Sequence, residues 1–157
     1  MASTVTPATL TVTLTEAITL NGYDQGSSNT LTIANVNEVS KRIVSTITTA
    51  EATILAFHAT AIGAGQLLEA NVRYIRITNL DDTNYVMLTF KNEDGAEFAV
   101  KLDKGQSFIY NGDLAGGVVD TMDAHDADQT HSLADLVDVQ AKADTASCDL
   151  EVFVASV

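Results

Sequence analysis

Apolar and polar residues alternate with a period of two along most of this chain. In residues 9–15, Thr9, Thr11, Thr13 and Thr15 alternate with Leu10, Val12 and Leu14. One face of such a strand is wet and the other dry. The same phase runs on through Ile18 and Leu20 until Asn21-Gly22 interrupts it, and a polar run follows from Asp24 to Asn29. Short strands are predicted over residues 30–34, over 41–48 with Ile43 and Ile47, and over 52–57 with Ile54, Leu55 and Phe57. Residues 58–70 are rich in Ala, with Gly63 and Gly65 breaking any helix, and read as a loop or a short turn.

The middle of the chain has the clearest pattern. Residues 72–79 place Ile75 and Ile77 inward, residues 85–91 place Val86, Leu88 and Phe90 inward, and residues 96–102 do so with Phe98, Val100 and Leu102. Turns are expected at Asp81–Asn84, at Asp94-Gly95 and at Asp103-Lys104-Gly105, before a strand over 106–110. Loops this short predict a four-stranded antiparallel meander. After a long irregular stretch, residues 111–132, the chain closes with strands over 133–141 (Leu133, Val137, Val139) and 147–155. Asp144-Thr145-Ala146 would turn them into a final hairpin. The expected fold is all-β: an antiparallel, jelly-roll-like β-sandwich of about eight to ten short strands, with a closed barrel as the other option. Residues 1–8 form a polar N-terminal arm, and residues 9–157 a single β-sandwich domain, which suits a length of 157 residues.

Charge narrows the function classes. Eight Lys and Arg against 21 Asp and Glu leave a formal charge of −13, and Lys41-Arg42 is the one basic pair. Binding to nucleic-acid phosphates or to anionic membrane faces relies on Lys and Arg, so neither partner is expected. Cys148 is the single cysteine, so no intramolecular disulfide can form. It alternates in phase with Leu150, Val152 and Val154 and reads as a core residue; Asp149 and Glu151 beside it oppose a reactive thiolate. Met1-Ala2-Ser3-Thr4 has neither the basic start nor the apolar run of a secretory signal, so synthesis and folding in the cytoplasm are expected. No apolar stretch reaches the roughly 18 residues that span a bilayer.

Catalytic chemistry finds little purchase. His58, His125 and His131 are the histidines, no Gly-x-Ser-x-Gly turn occurs, and Gly63-Ala64-Gly65 lacks the setting of a phosphate loop. No enzyme activity, catalytic residue, cofactor or resident metal is expected. The one constellation to weigh is Asp120, Asp123, His125, Asp126, Asp128 and His131. Its carboxylates could gather calcium, or its two histidines and a carboxylate a transition metal. A solvated loop is the simpler reading, because the glycine and closing glutamate of a calcium loop are missing. Two features point instead to protein contacts. Tyr74 and Tyr85 fall out of phase with the core and could line a partner surface. The four threonines of residues 9–15 give an outer face without charge, and no Lys or Pro guards that strand against pairing.

Three strings carry a family resemblance: TNLDDTNYV (residues 78–86), EFAVKLDKGQSF (97–108) and AKADTASCDLEV (141–152). They resemble the small β-sandwich virion proteins of tailed bacteriophages, of the capsid decoration or cement type. That resemblance implies a non-enzymatic structural protein located in the virion. Its partners would be the major capsid protein or other virion subunits, and it would be a homo-oligomer. The arm 1–8 and the loop 111–132 would reach neighbouring subunits. The alternatives are a tail or head–tail component, or a glycan- or receptor-binding module with a calcium-dependent acidic loop.

Overall fold

The computed structural model describes residues 4–60, 63–112, 114 and 133–157. In chain order the strands are β1 Ala8–Glu16, β2 Thr19–Leu20, β3 Tyr23–Asp24, β4 Ser27–Val36, β5 Glu38–Thr46, β6 Ala52–His58 and β7 Leu67–Leu68. After the 3-10 turn Glu69–Asn71 come β8 Val72–Asn79, β9 Val86–Asn92, β10 Glu97–Leu102, β11 Ser107–Asn111, β12 Leu136–Ala143 and β13 Cys148–Ser156. The expected count of eight to ten strands falls short chiefly by the two-residue strands β2, β3 and β7.

Two sheets pack face to face, so the protein is an all-β sandwich. One sheet runs β10-β9-β12-β6-β7 and the other β11-β8-β13-β5. Pairing is antiparallel throughout, except for the short parallel contact of β6 with β7. The interior is built from the inward phase of each strand. Ile75 and Ile77 of β8 and Leu150, Val152 and Val154 of β13 meet Leu88 and Phe90 of β9 and Val139 and Ala141 of β12. Phe90 lies at the centre, with its ring 4.7 Å from Phe98, 5.1 Å from Phe108 and 5.7 Å from Tyr110. Cys148 belongs to this core, as its phase indicates. Burial and nearby carboxylates, Asp81 foremost, push its thiol pKa up, which disfavours the nucleophilic thiolate.

Several connections differ from the sequence reading. The meander over 72–110 does not form. Within it only β9 and β10 make a hairpin, while β8 and β11 pair with each other in the opposite sheet. The supposed final hairpin fails in the same way: β12 pairs with β6 and β9, whereas β13 pairs with β5 and β8. A short polar turn can fold a chain back within one sheet or arch it across to the other, and the residues of the turn alone do not separate the two. The phase of two strands also shifts. In β5, Val44 and Thr46 face inward, leaving Ile43, and Ile47 just past the strand, exposed. In β12 a register irregularity between Leu136 and Asp138 turns Leu136 inward, while Leu133 and Val137 stay exposed.

Asn79 holds the crossings together. It is fully buried at the end of β8. Its side-chain amide donates to the carbonyls of Asn84 (2.9 Å) and Leu102 (3.2 Å), and its side-chain oxygen accepts from the Asp81 backbone N–H at 3.0 Å. Its main chain pairs with Gln106 and Gly105 of the second arch. One side chain thus satisfies both crossing loops at the same end of the sandwich. Replacing Asn79 by Ala strands these partners, and buried groups left unsatisfied cost about 1–3 kcal/mol. The urea midpoint of Asn79→Ala should fall accordingly with an unchanged slope; a loss within about 0.5 kcal/mol, typical of surface substitutions, would contradict this role.

Candidate functional site

The first strands do not join either large sheet. Among the described residues β1 pairs with β4 alone, and β2 with β3. Both pairs share one hairpin. The register is unbroken from Leu10↔Ile33 through Leu14↔Asn29 and Glu16↔Ser27 to Leu20↔Tyr23. Asn21 and Gly22 close it with φ of 51° and 83°. Two central residues with positive φ make the hairpin turn that matches strand twist, and Asn-Gly is the sequence best suited to it. Gly26 has a different duty: a Cβ there would lie 2.3 Å from the Glu16 carbonyl oxygen. Only glycine lets the two strands stay close at that point.

Alternation gives this ribbon two unlike faces. Thr9, Thr11, Thr13 and Thr15 share one face with Thr30, Thr32 and Ser28. Hydroxyls face each other across it, Thr13 with Thr30 at 3.4 Å and Thr15 with Ser28 at 3.2 Å. The sequence identifies this face as wet and uncharged, and so it is. The opposite face carries Leu10, Val12, Leu14, Ile18 and Leu20 on one strand and Tyr23, Leu31 and Ile33 on the other. The first Lys or Arg of the chain is Lys41, so the ribbon has no cation.

The apolar face lies over the outside of the four-stranded sheet. Residues there align in rows across the strands: Val39, Ala155, Tyr74 and Asn111, then Lys41, Phe153, Arg76 and Ile109, then Ile43, Glu151, Thr78 and Ser107. Ile33 and Val36 form a second core with Tyr74 and Ala155, flanked by Leu10, Val12, Leu31 and Phe153. Tyr74 is out of phase with the sandwich interior, as expected, yet it is 4% exposed. The surface that covers it is the chain's own ribbon. Tyr85 is half-buried, with the Lys101 ammonium 4.4 Å from its ring centre.

Coverage stops part-way along the ribbon. Leu14 is 53% exposed, Ile18 54%, Leu20 59% and Tyr23 72%. Beyond the covered rows the sheet face is open as well, with Ile43 63% exposed. A groove of about 260 Å³ lies between Leu14 and Asn29 of the ribbon and Ile109 and Asn111 of β11. Charge on the open rows is concentrated at Glu151, which binds the Lys41 ammonium at 3.0 Å and the Arg76 guanidinium at 2.5 Å. Arg76 also sits 6.0 Å from the Phe153 ring centre and donates to the Thr78 hydroxyl. Sequence reasoning identified the threonine face but missed Lys41, Ile43 and Arg76. They become a surface only when β5, β8 and β13 lie side by side.

No protein-family model matches this chain, and no curated protein matches it. A similar solved structure is a chain from work described as "Bacillus endospore appendages form a novel family of disulfide-linked pili". It shares 10% identity and covers 76% of this chain and 87% of that one, with a TM-score of 0.44.

Conventional site chemistry is sparse among the described residues. No group of three or more His, Cys, Asp or Glu there could hold a metal ion, and no helix there is long and apolar enough to cross a membrane. The acidic constellation of Asp120, Asp123, His125, Asp126, Asp128 and His131 lies outside the described residues, as do residues 1–3 of the arm. Glu69 has its carboxyl pKa raised by burial and by the charges of Asp135 and Glu93, against a smaller opposing effect of His58.

The two cations beside Glu151 lower its pKa below the ordinary glutamate value, the Arg76 hydrogen bond contributing most. A depressed carboxyl pKa stabilises the fold above the unfolded-state value, and that contribution disappears as pH falls through the folded-state value. Urea midpoints of the parent and of Glu151→Gln should therefore differ most near neutral pH and converge in acid. A difference constant with pH would contradict the assignment.

Proposed function

We propose that this chain is a non-enzymatic structural subunit that works by protein–protein contact, and specifically a decoration subunit of a tailed-phage shell. The observation that carries the reading is the ribbon: an apolar row along residues 10–20, interrupted by Glu16 and half covered by its own sheet, backed by a threonine face whose one charge, Asp24, lies beside the turn. Exposed apolar surface of this kind marks contact sites. Among the described residues the ribbon also has two unpaired strand edges, with no Lys or Pro within β1 or β4, an arrangement open to strand addition by another chain. The phage assignment is supported by the sequence strings at residues 78–86, 97–108 and 141–152.

A decoration subunit stabilises a shell by mass action, because it binds the assembled form and not the free subunits. Repetition over a lattice multiplies modest single contacts. The major capsid protein is the expected partner, with the virion as location. The decisive experiment is quantitative mass spectrometry of gradient-purified phage particles whose genome encodes this chain. The chain should be present in a fixed ratio to the major shell protein, and deletion of residues 18–25 should reduce its occupancy. Absence of the chain from purified particles would overturn the reading.

A further inference from the structure

The apolar face of the ribbon outruns the surface beneath it. Leu14 and Asn29 already share their groove with Ile109 and Asn111 of β11, the outermost strand of its sheet. Residues 15–27 therefore run past the sheet edge. From Leu14 to Leu20 the strand extends about 20 Å at roughly 3.3 Å per residue. Ile18, Leu20 and Tyr23 on this overhang face the same way as Leu10 and Val12.

We propose that the overhanging half of the ribbon seats on the open rows of the outer sheet face of a second copy of this chain, joining copies head to tail. This rests on the reading of the chain as an assembly subunit and names one of its partners. The receiving surface continues the one that already accepts the proximal half of the same ribbon face. Next to the covered row it offers the exposed Ile109 and Ile43, beside Phe153, which the chain's own Leu10 and Val12 partly cover.

Charge selects this pairing over the alternatives. Glu16 is the one charged residue on the apolar face of the ribbon, since Asp24 shares the opposite face with Thr19. Two ribbons laid apolar face to apolar face would bring Glu16 against Glu16. On the sheet, Lys41 and Arg76 balance Glu151 and, one row further on, Asp149, so in a chain of net charge −13 this patch has no acidic excess and its two cations are placed to meet Glu16. Unlike surfaces then meet, and such a contact joins copies head to tail, into an open filament or a ring, instead of pairing two like patches.

The test is sedimentation velocity from micromolar to millimolar protein. The parent chain should form species that grow with concentration. Leu20→Asp with Tyr23→Asp spoils the ribbon, and Ile43→Asp spoils the sheet face; all three positions are exposed, and circular dichroism should show the fold retained. Each variant alone should sediment as single chains. Mixed in equal amounts they should give a two-chain species and nothing longer, because each keeps one intact half. A parent that stays single-chain throughout, or a mixture that stays single-chain, would overturn the proposal. A single-chain protein still found in particles overturns this inference alone; absence from particles overturns the function above it.

Discussion

The four-stranded sheet is apolar on its inner face and, around Tyr74, Ala155 and Phe153, on part of its outer face too, and the rest of the molecule is arranged around that fact. In β13, Leu150, Val152 and Val154 point into the sandwich while Phe153 and Ala155 point out. In β8, Ile75 and Ile77 point in while Tyr74 points out. An antiparallel sheet with one wet face needs a single partner layer. This one needs two, and the second sheet supplies the first. The N-terminal ribbon supplies the other, so residues 8–36 act as a third layer and not as an appendage. The cost of leaving Tyr74 and Ala155 wet fixes where the ribbon lies.

The same requirement explains what the ribbon leaves undone. It is long enough to cover Ala155 and Tyr74, and its apolar alternation, interrupted by Glu16, then continues to the Asn21-Gly22 turn with nothing beneath it among the described residues. A two-stranded ribbon is marginal when isolated. The proximal half borrows stability from the sheet. The distal half has the Thr15–Ser28 hydroxyl contact, the Ser27 hydroxyl donating to Glu16, the tight fit at Gly26 and the turn, all local devices that keep it straight without burying it. A shape held in readiness, with apolar residues in phase and exposed, is suited to a surface outside the chain.

Much of the fold was legible in the sequence because burial here follows the period of two. Phe90, Leu88, Val139 and Leu150 announce their strands and their inward faces, and Cys148 was placed correctly from its phase alone. Wiring was not legible. The link between β8 and β9 contains the same kinds of residues a hairpin would use. Its crossing depends on Asn79 meeting carbonyls of Asn84 and Leu102, which lie 5 and 23 residues away in sequence. Ile43 misled for a related reason: an isoleucine in a strand reads as inward until Val44 and Thr46 are seen to occupy that side. Of the candidate site, the threonine face was visible as a pattern. The open rows around Phe153 were not, since they combine residues from β5, β8, β11 and β13.

Charge gives the arrangement its selectivity. A chain with 21 Asp and Glu and eight cations repels its own kind at long range, and contact becomes favourable only where charge is scarce or locally balanced. The ribbon is the scarce region, with Glu16 and Asp24 as its charges. Around Glu151 the acidic excess is lifted, because Lys41 and Arg76 balance Glu151 and the neighbouring Asp149. Most random encounters between copies would therefore set acid against acid, while the ribbon against the open rows sets apolar residues together with Glu16 beside Lys41 and Arg76. Strand edges that bear no guarding lysine would otherwise be an aggregation liability. Here the protection is spread over the whole surface, and the ribbon and the open rows are the places where it is relaxed.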